Sequence, residues 1–573
     1  MSVKTKKLIS IWMTVILLLS SASACNISTV DTGKKADSNT TTESKSTEED
    51  EEIIPITFTA LVTDDTNTLE WGDDPISQEI TRLTGVTLKF ETLVGDMDER
   101  IDVMLASQNY PDLLLSITHD NVQAFAEEGH LISFDDYIEN NDTEVEEIFS
   151  NNLGLMKNPS DGKIYGFNRG YNEISYAPAS QFWICYDVLK EANYPEINTL
   201  DELQTILEAY VKKHPVIDEK PVIPMSTWGD SWGFNITFNN TAMNACGYQN
   251  DGNWNISNDY DVQYALTTAD SKQYFSWLNG MNRAGMFDKE ALVQTRDMLL
   301  SKAKTGRVLC ITTAAWDISE INKAMIEVGM SEKQFAPIPL YISKEVAANS
   351  KINNYDSTGS WKSVITDNCK DSERAIKFFD QMWSEEMQIL VNWGIEGVHY
   401  DVINGNRVMR QEVLDLVATD SKWSDKLGIS KYSYWSKGAE AKDSTGNYIK
   451  PFDNTEMLEN LYDDATKEIL KEYDITNWSQ LNPKAEKSLL GFAWTLELPS
   501  DTPGKAAQEE CDDIIRRISI PKVILAKSVE DFEKEWEKFE KAVTEAGIGL
   551  REVEVKKALE ARLKLWGEMN LED

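Results

Sequence analysis

IIPITFTALVT at Ile53–Thr63, ISQEITRL at Ile76–Leu83, VTLKFETL at Val86–Leu93, IDVMLA at Ile101–Ala106 and DLLL at Asp112–Leu115 decide the fold class. The first and third segments are β-branched and apolar or alternate, as strands do; the second and fourth repeat their apolar residues at helical spacing. DLLL closes the set as a short buried strand. The order strand, helix, strand, helix, strand predicts an α/β fold with a parallel sheet, since parallel neighbours need a crossover between them. Ligands of such sheets bind beyond the carboxyl ends of the strands. Asp64 and Asp65 follow the first strand and are candidate ligand contacts; the competing reading is a turn carrying solvated charge.

Working outward, the chain of 573 residues is long enough for several domains or two large lobes, and needs no disulfide or metal staple. Fifty-six Lys and Arg against 96 Asp and Glu give a net charge of -40, which repels phosphate and excludes nucleic acid as a partner. His119, His130, His214 and His399 are scattered, and Cys25, Cys185, Cys246, Cys310, Cys369 and Cys511 contain no CxxC, so no local metal motif exists. Thr199-Leu-Asp-Glu202 is a capping box ahead of Leu200, Leu203, Leu207 and Tyr210. Ser528 caps a helix bearing Phe532, Trp536, Phe539 and Val543, which Gly547 and Gly549 should end before a charged helix over Glu552–Trp566. No internal repeat is visible.

The amino terminus places the body. Lys4, Lys6 and Lys7 precede an apolar run from Leu8 to Leu19, then small residues up to Ala24 and Cys25. This is a secretory signal, too short in its apolar part to span a membrane. It resembles a bacterial lipoprotein signal, which implies lipidation at Cys25, with Ala22 where the usual leucine stands. Residues 26–52 are Ser, Thr, Asn and Glu-rich and predict an unfolded tether. With Cys25 lipidated, five cysteines remain, an odd number, so buried free thiols are expected.

Five segments, the first within Ile56–Ser116, carry a family resemblance. They are LTGVTLKFETLVGDMDERIDVMLASQNYPDLLLS, DGKIYGF followed by WICYDVLKEANYPEINTLDEL, MNRAGMFDKEAL running into GRVLCITTAAW, DSERAIKFFDQMWSEEMQILVNWGIEGVHY, and SVEDFEKEWEKFEKAV. Together they resemble family 1 extracellular solute-binding proteins of ABC importers, in the Gram-positive, carbohydrate-type lipoprotein branch. The resemblance implies a two-lobed α/β fold of the periplasmic-binding-protein type, a hinge of two or three crossovers and a ligand cleft between the lobes. It implies an oligosaccharide ligand, ABC permease subunits as partners, no cofactor, a monomer, and a place on the extracellular face of the membrane. Lobe one should hold 53–168 and 345–395, and lobe two 172–340 and 396–573, with GKIYGFNRGYNEIS as the first crossover.

Sugar rings offer axial C–H faces to aromatic rings and hydroxyl rims to polar side chains. By position in the family, Trp316 resembles a stacking tryptophan. Trp228 and Trp232 in STWGDSWGFN, Arg169 and Tyr171 in the crossover, Trp361 after STGS, Trp435 in YSYW, Trp494 in FAWT, and Glu396 with His399 in GIEGVHY complete the candidates. Each tryptophan has a plain alternative as core, and Glu396 and His399 as hinge structure. Some family members hold a structural calcium; here Asn250, Asp251, Asn253, Asn255, Asp259 and Asp261 offer oxygens without an EF-hand pattern, and a hairpin turn at NDGN is the simpler reading.

Catalysis is disfavoured. Gly229-Asp-Ser231-Trp-Gly233 matches G-x-S-x-G, but Pro224 interrupts the preceding strand, FNITFNN is a poor helix start, and only His399 lies downstream as a base. Nothing local points to the paired carboxylates of a glycoside hydrolase. No P-loop or GxGxxG is present, so an importer ATPase would be another polypeptide. Within the binding class, a peptide ligand or a non-transport surface sensor or adhesin on the same fold are the alternatives.

Overall fold

The computed structural model describes residues 53–567 apart from 63–69, 92–96, 150–152, 159, 169–177, 179, 231, 249–252, 258, 355–360, 421, 433, 436, 439, 488–495, 497 and 499–501. The signal, the tether and Cys25 therefore lie outside the described residues. β1 (Ile56–Val62), α1 (Pro75–Thr84), β2 (Val86–Glu91), α2 (Met97–Ser107) and β3 (Leu113–Thr118) alternate as expected, and α3 (His119–Glu127) follows. β1 starts at Ile56 rather than Ile53, because Pro55 has no N–H for a ladder; the Ile56 amide donates to the Gly85 carbonyl at 2.9 Å. Asp74 caps α1 by accepting from the amides of Ile76 and Ser77 at 3.0 and 2.9 Å.

β1 pairs in parallel with β2 and β3. Two more strands complete this sheet: one at Trp361–Ile365, from much later in the chain and antiparallel to β3, and β4 (Gly166–Asn168), antiparallel to that strand in turn, giving the order β2, β1, β3, Trp361–Ile365, β4. β3 is buried on both faces from Leu113 to Ile117, as a central strand must be.

The second lobe is built on β5 (Gln181–Cys185), flanked antiparallel by β6 (Cys310–Thr313) and β7 (Phe335–Ile338). Residues 223–226 lie parallel beside β6 through bridges at Ile223 with Val308 and Ser226 with Ile311. Around this sheet pack α4 (Leu200–Lys213), α5 (Arg296–Ala303) and α6 (Ala315–Glu327). The capping box is formed as expected: Glu202 accepts from the Thr199 amide at 3.1 Å, and Leu200, Leu203, Leu207 and Tyr210 are buried. The strand at Trp361–Ile365, already placed in the first sheet, is β8. Beyond it come α7 (Glu385–Trp393) and the hairpin β9 (Tyr400–Ile403) with β10 (Asn406–Met409). The described residues close with α8 (Val529–Glu545), capped by Ser528, and α9 (Ile548–Gly567). α9 begins four residues earlier than expected, so Gly549 lies inside it, and only Gly547, at φ +101°, marks the break.

Two expectations are corrected. Residues 396–461 belong with the first core and not the second: Tyr400, Met409, Val413, Leu414, Ile429, Tyr432 and Met457 pack with Phe58, Ile76 and Phe379. The reason lies at Asp74: one carboxylate oxygen accepts from the Tyr432 hydroxyl, and a Cβ at Gly428 would sit 2.2 Å from the other, the oxygen that caps α1. The chain re-enters the second core at Ala465 and Ile469, a third passage between the lobes. FNITFNN is helical after all: a wide π-type turn at Asn235–Asn240 runs into a helix at Thr241–Ala245, and the Thr237 hydroxyl donates to the Trp228 carbonyl at 2.7 Å. A described hairpin follows NDGN, pairing Trp254–Ile256 with Val262–Tyr264; residues 250–252 of NDGN itself lie outside the described residues.

Cys185, Cys246, Cys310, Cys369 and Cys511 are all buried and free. Among the described residues no helix is long and apolar enough to cross a membrane.

GIEGVHY forms a tight reversal after α7. Gly394 has φ 85° and ψ -149°, a region open to glycine, and a Cβ there would lie 2.5 Å from His399 Nδ1. That nitrogen accepts from the Ile395 amide at 2.9 Å, and burial holds the imidazole below its ordinary range. Gly394→Ala is expected to cost about 2–4 kcal/mol by urea denaturation, the sum of backbone strain and a displaced buried side chain.

Candidate functional site

The carboxyl end of β6 organises the second lobe's surface. Thr313 is its last residue, Ala314 stays extended, and α6 opens with Ala315, Trp316 and Asp317. An acid in a helix's first turn is favourable, but Asp317 is fully buried, so it needs donors. It has three. The Trp228 indole N–H reaches one oxygen at 3.1 Å, the Thr313 hydroxyl shares that oxygen, and Arg296 Nε donates to the other at 2.5 Å. Arg296 also donates through Nη2 to Glu320 at 2.9 Å. Trp183 Nε1 donates to the Thr313 carbonyl at 2.7 Å, so a second indole is tied to the same strand end.

Trp228 is buried and meets Trp232 edge to face, with ring centroids 4.8 Å apart at 89°. Gly233 lets this happen: a Cβ there would lie 2.1 Å from two carbons of the Trp228 ring. Trp232 and Trp316 are each 52% exposed. The arrangement is a pair of half-exposed indoles whose neighbours are locked by one buried carboxylate, which suits stacking against flat apolar faces with polar edges.

On the first lobe, the start of α3 lies at the carboxyl end of β3. His119 is buried, and burial, together with Lys362 and Arg562, holds its imidazole well below the ordinary range. Arg562 Nη2 sits 3.3 Å from His119 Nε2. Arginine has no acceptor, so Nε2 accepts and the neutral ring carries its proton on Nδ1. Asp120 pairs with Lys505 at 3.6 Å. The carboxyl-terminal helices of the second lobe thus touch α3 of the first.

Not every candidate reaches the surface. Trp435 is fully buried, with Phe378 and Phe379 centroids 5.5 and 5.2 Å away, so it is core and is withdrawn as a stacking residue. Trp228 is corrected from contact to support. Glu396 is exposed on the GIEGVHY turn. Asp64, Asp65, Arg169, Tyr171 and Trp494 lie outside the described residues, as do Asn250 and Asp251; Trp361 opens β8 opposite Thr118, its side chain likewise outside. The calcium candidates that are described do not form a cage: Asp261 pairs with Lys556 at 2.5 Å, and no cluster of three metal-ligating side chains occurs among the described residues. Asp317, Arg296, Glu320, His119 and Arg562 were not singled out from the sequence. Asp317 and Glu320 at helical spacing beside Trp316 were a usable signal; Arg296 and Arg562 are too distant in the chain to have been one.

A two-lobed α/β scaffold with an aromatic surface at strand ends defines a binding protein. Residues 76–393 match the bacterial extracellular solute-binding protein family, and the chain belongs to it. Members bind a solute and do not transform it, so the chain is not an enzyme. It is similar to the fructooligosaccharide ABC transporter substrate-binding protein FusA of Streptococcus pneumoniae, 22% identical over 334 residues that make up 56% of this chain and 60% of FusA. It is similar to lipoprotein LipO of Bacillus subtilis, 24% identical over 44% of this chain and 49% of LipO. The chain thus spans between half and three fifths of the curated relatives it matches. Among solved structures, FusA in complex with kestose gives a TM-score of 0.63 at 16% identity, covering 90% of this chain and 100% of that one. An HMO-binding ABC-transporter-associated solute-binding protein of Bifidobacterium longum infantis gives 0.64 at 15%, covering 89% and 99%. These share the two-lobed fold.

Because the folded chain keeps His119 neutral while the unfolded chain protonates near pH 6.5, stability is lost as pH falls through that value. His119→Gln is expected to flatten the slope of unfolding free energy between about pH 7 and pH 5; an unchanged slope by thermal denaturation across that range would assign the acid sensitivity elsewhere.

Proposed function

We propose that this chain is the substrate-binding component of an ABC importer for an oligosaccharide, held on the extracellular face of the membrane by lipid at Cys25 and reaching its ligand through the 26–52 tether. The observation that carries the reading is the half-exposed pair Trp232 and Trp316, anchored beside one buried carboxylate at the strand ends of the second lobe. Sugar rings stack on such faces, and closure of the first lobe buries their hydroxyls against polar groups, which rejects ligands that leave those groups unpaired. Differential affinity for the closed form shifts the lobes, and membrane-embedded permease subunits accept the ligand intact. The similarity to FusA and to an HMO-binding protein supports a carbohydrate. No cofactor takes part.

Thermal shift against 1-kestose, maltotriose, mannotriose, lacto-N-tetraose and trigalacturonate tests the reading. A true ligand at 100 times its Kd raises stability by about 2.7 kcal/mol. Trp316→Ala should weaken that ligand by about 1.5–3 kcal/mol with the ligand-free Tm unchanged. Cleavage of any of these sugars would overturn the non-catalytic assignment. Cys25→Ser should release the protein into the medium, whereas retention on the cell would remove Cys25 as the anchor.

A further inference from the structure

Resting on the oligosaccharide reading, we propose that Arg296 is the specificity-determining residue beside Trp316, reading a hydroxyl and so selecting a neutral sugar ring over a uronic acid. Trp316 and Glu320 are four residues apart on α6 and therefore neighbours on one helix face. Arg296 reaches that face from the first residue of α5. Its Nε donates to Asp317 at 2.5 Å and its Nη2 to Glu320 at 2.9 Å. The side chain is 32% exposed and Glu320 is 35% exposed, so the outer edge of this ion pair meets solvent where Trp316 does.

Guanidinium is planar with five N–H donors in a fixed fork. Two carboxylates hold its plane, one at Nε and one at Nη2, which sets the direction of the donors that remain. The pair then offers a donor from Arg296 next to an acceptor from Glu320. A sugar hydroxyl satisfies both, accepting from one and donating to the other. A carboxylate satisfies only the first and faces two acids, with little of the arginine's charge left to offset its desolvation. Lys304 approaches the outer oxygen of Glu320 only at 4.0 Å and is itself 44% exposed, so it is screened. Selection for a neutral ring thus follows from how the arginine is already engaged, although an isolated arginine beside an aromatic face would favour an acid.

Isothermal titration calorimetry on the full chain with 1-kestose, maltotriose, mannotriose, lacto-N-tetraose and trigalacturonate tests this. The tightest neutral sugar should exceed trigalacturonate by tenfold or more. Arg296→Met should weaken that sugar at least tenfold, and Arg296→Lys should recover only part, since an ammonium cannot hold both carboxylates in one plane. Glu320→Gln, a surface change that leaves Asp317 paired, should narrow the neutral-to-acidic ratio at least fivefold with an unaltered near-UV circular dichroism spectrum. If Arg296→Met fails to fold, the Glu320→Gln ratio decides alone, and an unchanged ratio overturns the proposal. Tighter binding of trigalacturonate by the unaltered protein overturns it too. Neutral-sugar affinity kept in Arg296→Met but lost in Trp316→Ala overturns the Arg296 role while leaving the oligosaccharide reading intact. Binding of no sugar at all overturns both.

Discussion

A carboxylate without water must be surrounded by donors, and the candidate surface of this protein is arranged around one that is. Asp317 lies in the first turn of α6 and is met by an indole, a hydroxyl and a guanidinium. Removing any one would leave part of a buried charge unanswered, a cost larger than the gain from making the bond. The requirement therefore fixes side chains from the 224–233 loop, β6 and α5 at once. Trp316 precedes Asp317 directly, and Trp232 leans on Trp228, so the exposed rings inherit their positions from the buried acid.

The same helix reaches the other lobe. Lys323, two turns after Trp316, places its ammonium 5.7 Å from the centre of the Trp423 ring, and Trp423 packs on the first core. Burial lowers the Lys323 pKa, with Asp420 and Glu327 opposing it. A second contact joins Arg562 to His119. The lobes thus touch through α6, through α9 and through the Asp120–Lys505 pair, in addition to the three passages of the chain between them.

Much of the architecture was legible because it rests on local chemistry. Capping at Thr199 and Ser528 and the helical spacing of Phe532, Trp536, Phe539 and Val543 all depend on residues a few positions apart. The parallel core of the first sheet was legible for the same reason. The assignment of 396–461 was not, since the contact that decides it joins Tyr432 to Asp74 across 358 residues. Tryptophan roles were legible only in part. Neither Trp435 nor Trp316 has an aliphatic run beside it in the sequence that would mark it as core, yet one is enclosed by Phe378 and Phe379 and the other is half open. FNITFNN misled because its β-branched residues oppose helix locally, and a hydrogen bond from Thr237 to the Trp228 carbonyl overrides that preference.

The five buried thiols have a consequence for how the folded chain meets reagents. Burial pushes Cys185, Cys246, Cys310 and Cys369 up from their ordinary range, so thiolate is scarce even where a reagent could enter. Thiols held this way meet an oxidant or an electrophile only when the fold around them opens. Alkylation by a small maleimide would therefore run only as fast as the structure around each thiol opens, a clock for its breathing.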